Sequence, residues 1–302
     1  MIYKKDIWTF GGSKGGVGKS LICSNIGLYL AQRGYKVLLV DADFGSANLH
    51  TYLGISLSSS SLSDFLITGK LNIQEVITDT KYKNLSLITG GEDSLKISNL
   101  RYSQVRRLIE SLHELEYDYI LIDIGAGTSL QTVDVFTEGK KLMLVCTPEP
   151  AAIENLYRLL KYSFFRSFKK IIHNHSVRAY LEQMLVQKQA DNFFYPHELI
   201  ENISTIDKES GKKLQEFMIT FNPKLILNMV SEISDIKLGF AIVNSCKKYF
   251  GLTLDYIGFI ERDERVLKLV TARKPVIIAE PFIKSARGFR KISEILLGRS
   301  SR

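Results

Sequence analysis

The sequence predicts a doubly wound, mainly parallel α/β sheet flanked by helices. Three observations carry that prediction. Apolar runs of strand length alternate with helix-spaced stretches from residue 7 onward, the alternation breaks only at about 162–222, and the polar motifs fall just after strands. IWTF (7–10) reads as a short strand followed by a glycine-rich loop. From Ser20 to Arg33, Leu21, Ile22, Ile26, Leu30 and Ala31 recur at helical spacing, and Gly34 closes the helix. KVLLVD (36–41) is a buried strand ending in a carboxylate; LSLIT (85–89), YILID (119–123) and KLMLVCT (141–147) repeat the pattern, with helices expected at 102–116 and 150–166. The stretch 162–222 reads as mostly helical, with a break at Pro196 and DKESG as a cap or turn. No flexible linker brackets it, so it is expected to be a helical insertion within one domain spanning 1–302. KLILNMV (224–230), a helix at 235–250, LDYIGFI (254–260) and helices near 263–272 and 285–297 complete the alternation.

Composition narrows the class. Of the 302 residues, 45% are hydrophobic and 24% charged, which is globular, and no apolar stretch reaches the roughly 18 residues of a membrane span. The opening MIYKKDIWTF lacks the apolar core of a signal peptide, so a cytoplasmic location is expected. Cys23, Cys146 and Cys246 form no CxxC pair and read as buried thiols; His173 and His175 read as a solvated pair. The net charge is +8, and from Arg262 onward eleven Lys/Arg face four Asp/Glu. That basic C-terminal region is either a solvated surface or a footprint for DNA, an anionic membrane surface or an acidic protein partner.

The chemistry concentrates in GGSKGGVGKS (11–20). It fits the spacing of a phosphate-binding loop, except that Ser13 stands where the first glycine is expected and a second lysine, Lys14, is present. Glycines let successive backbone N–H groups face phosphate oxygens, and the following helix adds its positive end. Gly15, Gly16, Val17, Gly18, Lys19, Ser20 and Leu21 are the nucleotide-binding candidates, with Lys19 reaching the β- and γ-phosphates and the Ser20 hydroxyl on Mg²⁺. Asp123, ending the apolar YILI, suits a second position on the metal, and Asp41 and Asp43 stand where a group that holds metal or orients water would be placed.

GGSKGGVGKS followed by LLVDADFGSANLHTYLGI resembles the MinD/ParA family of deviant Walker ATPases. The resemblance covers about 5–160 and 224–297. It implies ATP and Mg²⁺ as cofactors, slow ATP hydrolysis stimulated by a partner or by dimerisation, and an ATP-dependent homodimer in which Lys14 contacts the nucleotide of the other subunit. It further implies that Asp43 positions the attacking water, Asn48 and Gly125 belong to the switches, Asp123 is the second-switch aspartate, and Asn228 contacts adenine, with Asp263 aligned near the base. The family's Pro-x-Asp is Glu261-Arg262-Asp263 here, which removes the proline contact. DIGAGTSLQTVDVF and CTPEPAAIENLYRLLK are most similar to the flagellar-number regulators FlhG and FleN, which implies control of the number or placement of a cellular structure through an unidentified protein partner. Because only a few residues precede the first strand, stimulation of a partner GTPase through the N-terminal activator segment of many FlhG proteins is not expected.

Other classes share the loop. A ParA-like ATPase would use the basic C-terminal region on nucleic acid, an amidoligase would need an acceptor pocket, and an iron–sulfur carrier would need paired cysteines, which the sequence lacks. SARGFRKISEILLGRSSR sets Phe289, Ile292, Ile295 and Leu296 on one helix face and Arg287, Arg290 and Lys291 on another. It is expected to pack on the core, with a membrane-interface helix as the alternative.

Overall fold

The computed structural model describes residues 6–12, 14–44, 47–56, 60–91, 101–186 and 196–299. Ser13, most of the stretch after LITGG, and 187–195 of the expected insertion lie outside the described residues.

The strands are β1 (Asp6–Gly12), β2 (Val37–Ala42), β3 (Ile77–Asp79), β4 (Leu85–Ile88), β5 (Tyr119–Ala126), β6 (Lys141–Cys146), β7 (Lys224–Val230) and β8 (Asp255–Glu261). They form one sheet in the order β3-β4-β2-β5-β1-β6-β7-β8. Every pairing is parallel except β3 with β4. That edge strand is only three residues long and was invisible to a pattern of apolar runs. It forms because Thr80–Asn84 turns the chain straight back, and a hairpin needs no crossover helix.

The helices are α1 (Lys19–Gln32), α2 (Leu49–Leu53), α3 (Leu62–Thr68), α4 (Tyr102–Glu114), α5 (Leu130–Phe136), α6 (Pro150–Ile171), α7 (His175–Val186), α8 (Pro196–Ile206), α9 (Lys208–Thr220), α10 (Ile233–Ser245), α11 (Glu264–Thr271), α12 (Val276–Ala279) and α13 (Lys284–Leu296). The strands alternate their side chains between two cores. Ile7, Leu38, Val40, Ile120 and Ile122 face one core with α3 to α6, whereas Trp8, Phe10, Val37, Leu39 and Leu121 face the other with α1, α12 and α13. A strand covered on both faces must be apolar throughout, which is why these runs do not alternate in polarity.

The helix expected at 150–166 continues to Ile171, so position 162 lies inside it. Pro150 starts it at the first-turn position proline tolerates. The helix expected at 235–250 starts at Ile233 and widens at Cys246 into a five-residue π turn ended by Gly251, whose φ of 61° suits glycine. α13 buries Phe289, Ile292 and Leu296 in the core with α1, while Ile295 is exposed; most of the expected apolar face is thus covered by the protein itself. All three cysteines are buried thiols outside any disulfide. Among the described residues, no helix is long and apolar enough to cross a membrane.

Candidate functional site

The carboxyl ends of β1, β2 and β5 adjoin in the sheet and gather the candidate residues, as expected of open parallel sheets. The loop after β1 turns through Gly16 (φ 83°) and Gly18 (φ 89°), a left-handed conformation that favours glycine. A side chain on Gly15 or Gly16 would meet nothing within 4 Å among the described residues, which leaves that side of the loop room for a ligand. Gly12 is different: a Cβ there would lie 2.4 Å from Lys19 Cδ, because the Lys19 stem lies across the start of the loop. Gly18 caps α1 without a side-chain hydrogen bond, and the first turn itself holds no acidic residue.

Lys19 is buried, and so are the two carboxylates Asp41 and Asp123, which stand opposite one another on the neighbouring strands β2 and β5. Neither oxygen of Asp123 has a hydrogen-bond partner among the described residues. Burial pushes its pKa up to about 6, against the pull of the Lys19 charge and the Ser20 hydroxyl and with a smaller push from Asp43. Asp41 is also pushed well above the usual carboxylate range, by burial and then by Asp123. Each of its oxygens accepts a backbone N–H: Oδ1 that of Asp43 at 3.3 Å and Oδ2 that of Leu49 at 2.9 Å. Asp43 is half-buried over the second candidate switch, its Oδ1 being 3.3 Å from where a Cβ on Gly125 would stand. Asn48 is exposed at the start of α2, where its carbonyl accepts the N–H groups of Thr51 and Tyr52.

The remaining candidates lie around this centre. Lys14 Nζ donates to Glu149 Oε2 at 2.9 Å, and both side chains are about half exposed. Val17 and Leu21 turn their side chains into the core beside α1. Asn228, buried at the end of β7, donates its Nδ2–H to the Val17 carbonyl at 2.8 Å and so braces the loop from the side. Asp263 follows β8, the neighbour of β7 in the sheet. It caps α11 through the Arg265 N–H, and its carboxylate is held by the Arg265 guanidinium, three strands away from β1. The Arg265 partner is also the main reason its pKa is lowered.

Two residues enter the site that motif reading did not single out. Glu149 meets Lys14 across 135 residues of sequence, and no local pattern announces such a contact. Thr147, also just beyond β6, is buried with no partner for its Oγ1 among the described residues; in sequence it was simply the last residue of the expected strand KLMLVCT. A cleft of about 420 Å³ lined by Leu28, Ala31, Tyr82, Asn84 and Ile278 lies at the far end of α1 and is a separate feature.

A glycine cradle opening a helix, a buried lysine and strand-end carboxylates define a nucleoside-triphosphate-binding class of α/β protein. The family model of an AAA domain, AAA_31, matches residues 5–178. The chain belongs to this AAA domain family and, within it, to the MinD/ParA group. It is 36% identical over 147 residues to a protein assigned as the septum site-determining protein MinD of Oltmannsiellopsis viridis, covering 48% of this chain and 46% of that one. It is 35% identical over 150 residues to the flagellum site-determining protein YlxH of Helicobacter pylori, covering 49% and 50%. The chain spans about half the length of the curated relatives it matches. The fold resembles the septum site-determining protein MinD of Pyrococcus horikoshii, solved as a complex with Mg-ADP, with a TM-score of 0.66 and 22% identity over 97% of this chain and 96% of that one.

Proposed function

We propose that the protein is an ATPase switch that binds ATP and Mg²⁺, hydrolyses ATP to ADP and phosphate, and dimerises while ATP is bound. The observation that carries the proposal is the pairing of an open glycine cradle with a buried carboxylate, Asp123, whose oxygens have no partner among the described residues. An ionised group buried without a partner is costly, and a divalent cation beside it would remove that cost. Asp123 and the Ser20 hydroxyl, with oxygen donors only, fit Mg²⁺. When bound, Mg²⁺ offsets charge on the phosphoryl oxygens.

The loop N–H groups and Lys19 then hold the phosphates, and Asp43 orients the water that attacks in line. Lys14 is half exposed and free of the core, as a residue serving a second subunit must be, and in a dimer it supplies a further cation to the transition state. Residues 1–302 act as one unit, with 162–222 an elaboration of it.

The similarity to proteins named for septum and flagellum site determination supports a role in placing or counting a cellular structure, and the YlxH match supports the flagellar branch. On this reading the protein works in the cytoplasm and acts at a membrane or cell pole through a partner protein or a surface, the basic C-terminal region being the candidate contact. The test is the light-scattering mass of Asp43→Ala with and without Mg-ATP, repeated with Lys14→Ala added. The expected result is a monomer that doubles with Mg-ATP only when Lys14 is present. Verified ATP binding without doubling would reject the switch and favour phosphoryl chemistry of the amidoligase kind.

A further inference from the structure

Asp41 and Asp123 look equivalent in sequence, each a carboxylate ending an apolar strand, and they stand opposite one another in register. Their hydrogen bonding separates them. Asp123 has two oxygens without partners among the described residues, whereas each Asp41 oxygen accepts a backbone N–H, one from Asp43 and one from Leu49. A carboxylate that accepts a backbone N–H on each oxygen is fixed in orientation by the chain it binds, whereas the Asp123 carboxylate carries no such backbone ties among the described residues.

The two donors are informative in themselves. Asp43 is the acid that follows β2, and Leu49 opens α2; one carboxylate therefore ties the residue after the strand to the first turn of the next helix. The packing around it is tight. A Cβ on Gly90 would lie 2.7 Å from Ala47 Cβ and 3.0 Å from the Asp41 carbonyl oxygen, so the neighbouring strand end leaves the tie no room to shift. The Asp43 carboxylate in turn lies against Gly125, where a Cβ would be 3.3 Å from its Oδ1.

We propose that Asp41 is a positioning residue, not a metal ligand: it fixes the backbone of Asp43 and the start of α2 so that the Asp43 carboxylate is held over Gly125 and ready to orient water. This rests on the ATPase reading above. It divides the work of the acids, with Asp123 toward Mg²⁺, Asp43 toward water, and Asp41 toward the backbone that carries Asp43.

The experiment compares wild type, Asp41→Asn, Asp123→Asn, Asp43→Asn and the Asp41→Asn/Asp43→Asn double variant. Each is titrated with Mg²⁺ in the presence of a fluorescent ATP analogue, assayed for turnover, and measured for amide hydrogen exchange at Asp43 and Leu49 without nucleotide. For Asp41→Asn, the Mg²⁺ half-saturation should stay within about twofold of wild type, while turnover falls by about 10- to 100-fold, the scale expected when a reacting group is displaced by about 1 Å. Exchange at Asp43 and Leu49 should quicken, and the double variant should be no slower than Asp43→Asn alone.

A tenfold or larger rise in the Mg²⁺ half-saturation, matching that of Asp123→Asn, would overturn the proposal. So would additive losses in the double variant, or unchanged exchange at both amides. If Asp41→Asn fails to fold, Gly90→Ala, which presses on the same tie and keeps every carboxylate, should lower turnover with unchanged Mg²⁺ half-saturation; unchanged turnover would overturn the proposal. Absence of Mg-ATP binding by wild type would refute the ATPase reading itself, and the exchange data would still report whether Asp41 holds Asp43 and Leu49.

Discussion

The strand ends of β1, β2 and β5 and the helical stretch from α6 to α9 are both well buried, yet they use burial in opposite ways. The helical stretch packs apolar groups: Phe164, Phe217 and Phe221 form a mutual cluster with ring centroids 5.3–5.5 Å apart, with Phe165 and Phe168 beside it. The strand ends instead bury a lysine and two carboxylates, one of them with no hydrogen-bond partner for either oxygen among the described residues. Apolar burial stabilises at roughly 25 cal/mol per Å², whereas a buried charge costs several kcal/mol unless compensated. One region therefore stabilises the fold, and the other carries a cost that a bound ligand would remove.

The largest effect should come from breaking the stabilising side. Phe164→Ala removes the ring that contacts most of the cluster, and large-to-small changes at fully buried phenylalanines cost about 3–5 kcal/mol. Denaturant unfolding should show that loss, while the ATP affinity of the folded fraction stays unchanged. An affinity that fell in parallel would mean that the two regions are not separable.

The opposite sign is expected at the strand ends. The folded pKa of Asp123 is raised from 3.8 to about 6, so its protonated form is favoured by the fold. Its contribution is therefore fully present below the unfolded pKa and is lost as pH rises through about 6. A shift of roughly two units corresponds to about 3 kcal/mol at pH 7. Without nucleotide, Asp123→Asn should be more stable than wild type at pH 7 by up to that amount, and the difference should close near pH 4. Asp41, shifted in the same direction, leaves a pH dependence of the same sign in the variant. With Mg-ATP the order should invert, because only the wild-type carboxylate can hold the metal. Thermal unfolding across pH, with and without Mg-ATP, checks both signs.

The same contrast explains what the sequence made legible. β1, β2, β5, β6 and β7 are apolar runs between turn signals, and covering on both faces makes such runs nearly continuous, so they were read to within a few residues. β3, α2 and α12, at three to five residues, are too short to show a period; they exist through tertiary contacts. The glycine loop was legible because its chemistry is local. The division between Asp41 and Asp123 was not, because it depends on the Leu49 N–H, eight residues from Asp41, and on Asp123 having no backbone N–H bonded to it among the described residues. The contacts of Lys14 with Glu149 and of Asn228 with Val17 span 135 and 211 residues, beyond any spacing rule.

Asn228 sharpens the comparison at intermediate scale. Its amide joins β7 to the loop, and Asn228→Ala would leave the Val17 carbonyl without that donor, a loss of about 1–3 kcal/mol. Nucleotide affinity should fall because the cradle loses its brace. If the brace is the whole role, affinities for ADP and GDP should fall by the same factor; a loss confined to ADP would show that the side chain also reads adenine.

The smallest effect on stability is expected at the rim. Lys14 and Glu149 are 45% and 57% exposed, and pairs in that setting contribute at most about 1 kcal/mol, weakened further by salt. Glu149→Ala should therefore shift the unfolding midpoint very little. The pair nevertheless holds Lys14 within its own chain, and a lysine that serves the other subunit must leave Glu149 first. Removing Glu149 should then favour the Mg-ATP dimer of a hydrolysis-deficient Asp43→Ala protein by up to about fivefold, the equivalent of 1 kcal/mol. The gain should shrink at high salt and vanish when Lys14→Ala is added. A weaker dimer after Glu149→Ala would mean that the glutamate orients Lys14 toward the partner's nucleotide, and that the ion pair belongs to the dimer as much as to the monomer.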